Sequence, residues 1–310
     1  MSERPSATLS ALRERQAMLT STRTFFRERG VLEVTTPVLS RYASADPHVP
    51  SMKIHGQAHF LRTSPESALK RLLCAGAGDV FEIGPAFRAH ELGALHQPEF
   101  TLLEWYRLGF NHHSLMDEVA SLMAALGSTR TFTRLSYEDL FAEVCGESFI
   151  EMHPEQLAAL AAPFVDSVCP TQSSADLHNL IYLHRLEPAL KSRGAVFLHD
   201  YPPALRCYAR LNAARSTAER FELIIDGLEI ANGYHEIVSV DEQRACFDSE
   251  NERRAENGLD PVIPDGDWLA ALSTGLPPCA GVAVGVERLQ MALSEYRDIN
   301  QTISFSYENT

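Results

Sequence analysis

The chain has 310 residues, and 27 basic against 41 acidic side chains leave a formal charge of −14 at pH 7 with histidine neutral. Hydrophobic residues make up 45% and charged residues 22%, a globular composition with apolar material for one large domain or two, which excludes wholesale disorder. No run approaches the ~18 apolar residues that cross a bilayer and the first residues lack the apolar stretch of a signal peptide, so a soluble cytoplasmic protein with no membrane partner is expected.

Six scattered cysteines (Cys74, Cys145, Cys169, Cys207, Cys246, Cys279) form no C-x-x-C pair, so reduced thiols are expected rather than a zinc ribbon or a disulfide framework. The acidic balance argues against a broad basic surface for phosphate backbones and leaves local basic clusters open.

Residues 9–29 read as an amphipathic helix, with Leu9, Leu12, Met18, Leu19, Phe25 and Phe26 set among arginines and glutamates and Gly30 as its stop. Residues 31–35 are short and β-branched ahead of Pro37, a strand leading into a turn; residues 40–55, with Pro47 and Pro50, read as a loop. Strands are expected at 59–62, 80–83 and 100–108, and helices at 65–75, with Pro65 in the first turn, and at 114–126. From about residue 131 to 195 the signal weakens to two helices, 154–162 and 175–191, and this stretch is expected to be an inserted helical region ahead of the apolar run 195–199.

Residues 219–225 and 228–235 predict antiparallel strands joined by Asp226-Gly227, a dipeptide suited to a tight hairpin. A charged helix at 241–256 and a small-residue strand at 281–284 running into a helix at 287–293 complete the chain. Hairpin strands with helices between groups predict an α+β fold with a mostly antiparallel sheet in a single domain, and no glycine-rich dinucleotide or phosphate loop occurs.

Three segments carry candidate chemistry. In Phe87-Arg88-Ala89-His90-Glu91, followed by His96-Gln97-Pro98-Glu99-Phe100, an arginine at a strand end can hold a phosphate through its planar fork, and an exposed loop arginine fits the same residues. In Glu222 and Glu229-Ile230-Ala231-Asn232-Gly233-Tyr234-His235-Glu236, two carboxylates on hairpin neighbours can share hard divalent cations, while Asn232, Tyr234 and Glu236 alternate onto one face suited to an amine-bearing ligand; a solvated polar face is the alternative. In Gly281-Val282-Ala283-Val284-Gly285-Val286-Glu287-Arg288, small residues let a flat ligand approach the backbone with an arginine in the next helical turn, or serve tight strand-to-helix packing.

Arg29 to Pro37, Phe87-Arg88 through Glu99-Phe100, and Gly285 to Arg288 stand in the order and spacing of motifs 1, 2 and 3 of class II aminoacyl-tRNA synthetases. Thr63-Ser64-Pro65-Glu66, the run from His96 to Tyr106 and the run from Glu229 to Glu236 resemble the lysyl branch of that family, with similarity from about residue 10 to 305. Arg29 opens motif 1 too early to leave room for the N-terminal anticodon-binding barrel of a bacterial lysyl-tRNA synthetase, and Ala283 stands where that branch usually has glycine. The resemblance is therefore to the truncated paralogues that attach (R)-β-lysine to a lysine of elongation factor P.

The resemblance implies a class II synthetase catalytic domain, ATP and Mg2+, an aminoacyl-adenylate, and ligation to elongation factor P. It assigns the α-phosphate to Arg88, the γ-phosphate to Arg288 and magnesium to Glu222 and Glu229; adenine and ribose fall to Ala89, His90, Gln97, Phe100, Ile230 and Gly285. The amino acid falls to Ser64, Pro65, Glu66, Tyr106, Asn232, Tyr234 and Glu236, where separated acids suit two ammonium groups. The helix and strand of motif 1 imply a homodimer. Motif 2 departs from Arg-x-Glu by having His90 third and Glu91 fourth, which leaves adenine contact to Glu91 or to the backbone, and Gln97 replaces a common asparagine. A minimal enzyme acylating tRNA or another carrier, and an inactive synthetase-like regulator, remain as alternatives; lysine in place of (R)-β-lysine is open, and tRNA is disfavoured by charge and by the absent barrel.

Overall fold

The computed structural model describes residues 5–164, 173–214 and 216–309; Cys169 and part of the expected insertion lie outside them. An eight-stranded mixed sheet forms the centre. Its strands are β1 (Leu32–Glu33), β5 (Val80–Phe87), β6 (Glu99–Leu108), β7 (Phe132–Ser136), β8 (Ala195–Tyr201), β9 (Ala218–Ile225), β10 (Leu228–His235) and β11 (Cys279–Gly285), in the spatial order β1-β5-β6-β11-β10-β9-β8-β7. The five inner pairings are antiparallel and the two outermost parallel. A separate three-stranded sheet joins β2 (Leu39–Ser40), β4 (Phe60–Leu61) and β3 (Met52–Lys53).

Ten helices flank these sheets among the described residues: α1 (Leu9–Glu28), α2 (Glu66–Cys74), α3 (His112–Ala125), α4 (Tyr137–Cys145), α5 (Pro154–Ala161), α6 (Ser174–Ile181), α7 (Glu187–Leu190), α8 (Val240–Glu256), α9 (Gly266–Ser273) and α10 (Val286–Ser294). The Thr8 hydroxyl caps α1 by accepting from the Ala11 N–H, and Gly30, at φ 70°, turns the chain out of it. The α9 helix is absent from the sequence reading; Asp265 caps it, and its eight residues are too short for a periodic signal. The stretch expected as a strand at 31–35 pairs over two residues only, and the expected loop at 40–55 supplies β3 and the end of β2, ladders too short to leave a pattern.

Strand β5 runs four residues past its expected end, through Gly84 and Pro85. Proline survives because, at that position, backbone N–H groups point away from β6 toward the sheet edge, where Phe87 donates to the Arg62 carbonyl at 2.9 Å. The Asp226-Gly227 hairpin has φ values of 52° and 83°, the doubly left-handed turn its sequence asks for. The stretch expected to be inserted holds α4 to α7 and also β7, which lies parallel to β8 at the sheet's far edge.

Helices α1 and α3 cover the back face of the sheet, where Phe26, Phe81, Leu103, Trp105, Leu115, Phe221 and Val282 form the main core. Phe26 is fully buried, stacked on Phe81 at 4.6 Å and edge-on to Trp105 at 5.0 Å. On the edge, buried Arg62 and Glu82 pair at 2.8 Å, and both bond the Thr36 side chain, fixing the chain just after β1. Truncating Phe26 removes the stacked ring that ties α1 to the sheet, so Phe26→Ala is expected to lower urea-unfolding stability by about 3–5 kcal/mol, and a loss below about 1 kcal/mol would refute this packing account.

Candidate active site

The front face of the same sheet is hollow. In register across four strands lie two rows of side chains, Arg220–Tyr234–Gly281–Tyr106 and Glu222–Asn232–Ala283–Glu104. Large groups on β9, β10 and β6 thus flank a β11 that presents only glycine and alanine, and a cavity of about 490 Å³ opens above it. A Cβ on Gly281 would sit 2.2 Å from a Tyr106 ring carbon and 2.8 Å from Glu236 Oε1, so glycine is obligatory there. Gly285, by contrast, has room for a Cβ, which would meet the Arg288 side chain at an ordinary contact distance of 3.9 Å.

At one end carboxylates converge on a single ammonium group. Lys70 Nζ, 1% exposed, donates to Glu66 Oε1 at 2.6 Å and lies 2.5 Å from Glu236 Oε2. Glu104, also buried, accepts from Ser64 Oγ at 2.6 Å and from the Tyr106 hydroxyl at 2.8 Å. The Ser64 hydroxyl in turn accepts from the Glu66 N–H and orients the first turn of α2. Burial works against the charge of Lys70, but Glu236 and Glu66 outweigh it and hold the lysine above its usual value. Burial, with the Glu66 charge adding to it, pushes Glu104 up to about 7 and Glu236 up to about 8, the latter in spite of Lys70. Three acids facing one base leave this pocket with an unmet demand for positive charge.

The other end is cationic. Arg288 donates to the Glu229 carbonyl at 3.1 Å and to the Leu95 carbonyl at 3.3 Å, and meets His96 Nε2 at 2.5 Å. Burial and the Arg288 charge lower the His96 value, which leaves a neutral ring to accept from the guanidinium. Arg88 lies 5.0 Å from the Phe100 ring centre, and Glu91 comes within 3.7 Å of it. Between the two ends Arg220 donates to Glu222 at 2.5 Å and to Asn232 at 3.3 Å; burial pushes Glu222 up to about 7, with the Glu229 charge raising it further.

Arg88, Gln97, Phe100, Glu222, Glu229, Ile230, Gly285 and Arg288 all line the cavity, as do Ser64, Glu66, Tyr106, Asn232, Tyr234 and Glu236. Three expected residues do not. Pro65 instead occupies the N-cap position of α2, Ala89 donates its N–H to the Pro50 carbonyl, and His90 adopts a left-handed φ of 64° beside a wall occupied by Glu91. Gln97 reaches the wall, yet its amide donates to Asn300 and accepts from the Tyr307 N–H, so it holds the C-terminal segment against the site.

Lys70, Glu104 and Arg220 went unassigned from the sequence, although a signal existed for each. Lys70 falls four residues after Glu66 on one helix, and Glu104 and Arg220 fall two residues before Tyr106 and Glu222 on single strand faces.

The raised carboxyls bind protons more tightly folded than unfolded, so their contribution to stability is full below about pH 4.5 and is lost as pH climbs through about 7 and 8. Urea-unfolding stability should therefore fall between pH 5 and pH 8, and fall less in Glu104→Gln; equal falls in the two proteins would contradict the assignment.

Residues 2–309 match the family model for tRNA synthetases class II (D, K and N). Elongation factor P (R)-β-lysine ligases from Vibrio atlanticus and Vibrio cholerae are each 38% identical to the chain over 98% of its length and 97% of their own. The enzyme of that name from Pseudoalteromonas translucida is 38% identical over 97% of this chain and 96% of its own. With residues of motifs 2 and 3 lining one cavity over the antiparallel centre of the mixed sheet, and with that match along almost its whole length, the chain belongs to the class II tRNA synthetase family of the D, K and N type.

Proposed function

We propose that this chain joins (R)-β-lysine to ATP as an aminoacyl-adenylate and transfers the acyl group to the side-chain amine of a lysine of elongation factor P. The observation that carries the reading is the polarity of the cavity. Its acid-rich end, with Glu66, Glu104 and Glu236 around Lys70, suits a substrate bearing two ammonium groups, and its arginine end suits a triphosphate. The names of the relatives supply the acceptor and the amino acid.

In the first step a carboxylate oxygen of the amino acid attacks the α-phosphorus, the bond to the β-phosphate oxygen breaks and pyrophosphate leaves. In the second, the acceptor amine as free base attacks the carbonyl carbon, the bond to the phosphate oxygen breaks, AMP leaves and the amine's proton passes to solvent. Arg88 and Arg288 are the catalytic residues of this reading, holding the α- and γ-phosphates and stabilising charge that builds on the phosphate oxygens. Phe100 offers its ring to the base, with Ile230 and Gly285 as neighbouring walls. Glu91 takes the place of the usual motif 2 glutamate, while Ala89, His90 and Gln97 support that wall from behind. Ser64, Tyr106, Asn232 and Tyr234 orient the amino acid between the acids, and Pro65 starts the helix that presents Glu66.

Mg2+ suits the oxygen donors Glu222 and Glu229: Glu222 is buried with its carboxyl raised, the condition that a hard cation relieves. Held there, magnesium would neutralise phosphate charge. The domain acts as one catalytic unit with residues 131–164 and 173–195 attached at its far edge, and it works in the cytoplasm, where its acceptor takes part in translation. No helix among the described residues is long and apolar enough to cross a membrane. Ligation rather than tRNA charging fits the acidic surface.

Intact-mass measurement of purified elongation factor P after incubation with this chain, ATP, Mg2+ and (R)-β-lysine or lysine tests the whole reading, with bulk tRNA as a parallel acceptor. A gain of one lysyl unit, lost when the acceptor lysine is replaced, is expected; charging of tRNA with no gain on the protein would favour the minimal synthetase. Glu236→Gln and Arg88→Ala are each expected to slow amino-acid-dependent pyrophosphate exchange on the order of 100-fold or more, and wild-type exchange in either would remove that residue from its role.

A homodimer through α1 and β1 is part of the proposal, supported by Leu9, Leu32 and Leu39, which stand 69%, 52% and 54% exposed around that edge. Light scattering should return twice the chain mass for wild type and a shift toward one chain mass for Leu32→Glu; a wild-type monomer would exclude the dimer.

A further inference from the structure

Behind the active site, on the opposite face of the same sheet, lies a cluster that the proposed reaction does not use. His112 and His113 open α3, His199 and Asp200 end β8, and one donor atom from each of the four falls within 4.8 Å of the other three. Asp200 accepts from both sides, with His112 Nε2 at 3.0 Å and His199 Nδ1 at 2.8 Å. The His113 ring lies against His112 at 4.1 Å and against His199 at 5.2 Å.

We propose that His112, His113, His199 and Asp200 form a tetrahedral site for a borderline transition-metal cation of the zinc class. The donor set of three imidazoles and one carboxylate is the chemistry such ions select over magnesium and calcium. With metal–ligand bonds of about 2.0–2.1 Å, neighbouring donors in a tetrahedron stand about 3.3 Å apart; His112 meets Asp200 Oδ1 at 3.0 Å and His199 meets Oδ2 at 2.8 Å, so one of the two carboxylate oxygens turns to the ion when metal binds.

Three observations separate the cluster from an ordinary hydrogen-bonded patch. His112 is 4% exposed, and it is Nε2 of this buried ring that faces the Asp200 carboxylate at 3.0 Å. Asp200 holds a left-handed φ of 58° at an irregularity in the β8–β9 ladder, a conformation that turns its carboxylate into the cluster. Its ion pairs are with His112 and His199, whereas nearby Glu219 pairs with Arg210 at 3.2 Å as well as with His235 at 2.6 Å. Asp200 thus keeps a negative charge for a cation among imidazoles. His113, His199 and Asp200 are half-buried, which leaves an entry path.

The test is equilibrium dialysis of chelator-treated full-length chain against Zn2+, with bound metal counted by elemental mass spectrometry. One zinc per chain is expected, with affinity weakened at least about tenfold in both His199→Gln and Asp200→Asn and unchanged in the front-face variant Glu222→Gln. Wild-type protein loaded with Co2+ should show the intense visible bands of tetrahedral cobalt. That arm needs no variant to fold. Absence of those bands, fewer than one zinc in ten chains, or zinc held equally by both cluster variants would overturn the site, and none of these readouts depends on the reaction catalysed at the front.

Discussion

Charge buried without its full complement governs this molecule. Lys70 is enclosed by Glu66 and Glu236, with Glu104 beside them, and a low-dielectric interior makes such a surplus of acid costly unless protons or cations answer it. An apolar replacement of the whole group would be easier to fold. The fold instead holds three acids against one base, on helix α2, on strand β6 and just beyond β10, and in the proposed function the missing charge is delivered by something that enters and leaves. In that reading a ligand with two ammonium groups answers the surplus.

Holding such a surplus in place requires rigidity, and the back of the sheet provides it. The same strands that turn Glu104, Tyr106, Asn232 and Glu236 forward turn Leu103, Trp105, Ala231 and Phe221 backward into the core under α1 and α3. Strand alternation couples the two: a slip of one residue in β10 would bury Glu236 among phenylalanines and empty the cavity of its acids. The hollow itself comes from β11, where Gly281 and Ala283 lie between bulky neighbours on β10 and β6. Small residues at mid-sheet weaken the sheet locally, and the core behind compensates through Val282 and Val284.

The legible parts of the sequence were those where chemistry and period coincide. The hairpin at Asp226-Gly227, the alternation of Asn232, Tyr234 and Glu236, and the α1 stripe are local patterns, and each stands in the structure close to where it was read. The cavity-lining residues were legible only because three separated motifs resemble a family; nothing local to Arg88 or Glu222 states that they share a wall. What stayed hidden was set by distant partners. Lys70 looks like a surface lysine of an amphipathic helix until Glu236, far along the chain, closes over it. Pro85 breaks a strand on paper and not in space, because its missing N–H falls on the edge side. The amide of Gln97 faces a choice between ligand and C-terminal segment that only the folded return of residues 300–307 resolves.

A chain of formal charge −14 that accepts a triphosphate has to separate its fields. It does so along one cavity: Arg88 and Arg288 lie at one end with His96, each beside an acid, Arg220 and Glu222 pair between, and Glu66, Glu104 and Glu236 surround Lys70 at the other end. Inside a cavity with low-dielectric walls the nearest charges dominate, so an anion is drawn to the arginines despite the net charge of the whole. At longer range the balance reverses. Under the proposed function a lysine amine presented by a partner protein approaches as a cation and is favoured by the net negative charge, whereas a polyanion such as tRNA is disfavoured. The segregation therefore does more than fit two substrates into one pocket. Under the proposed function it reconciles phosphate chemistry inside the cavity with an acceptor that is a basic side chain.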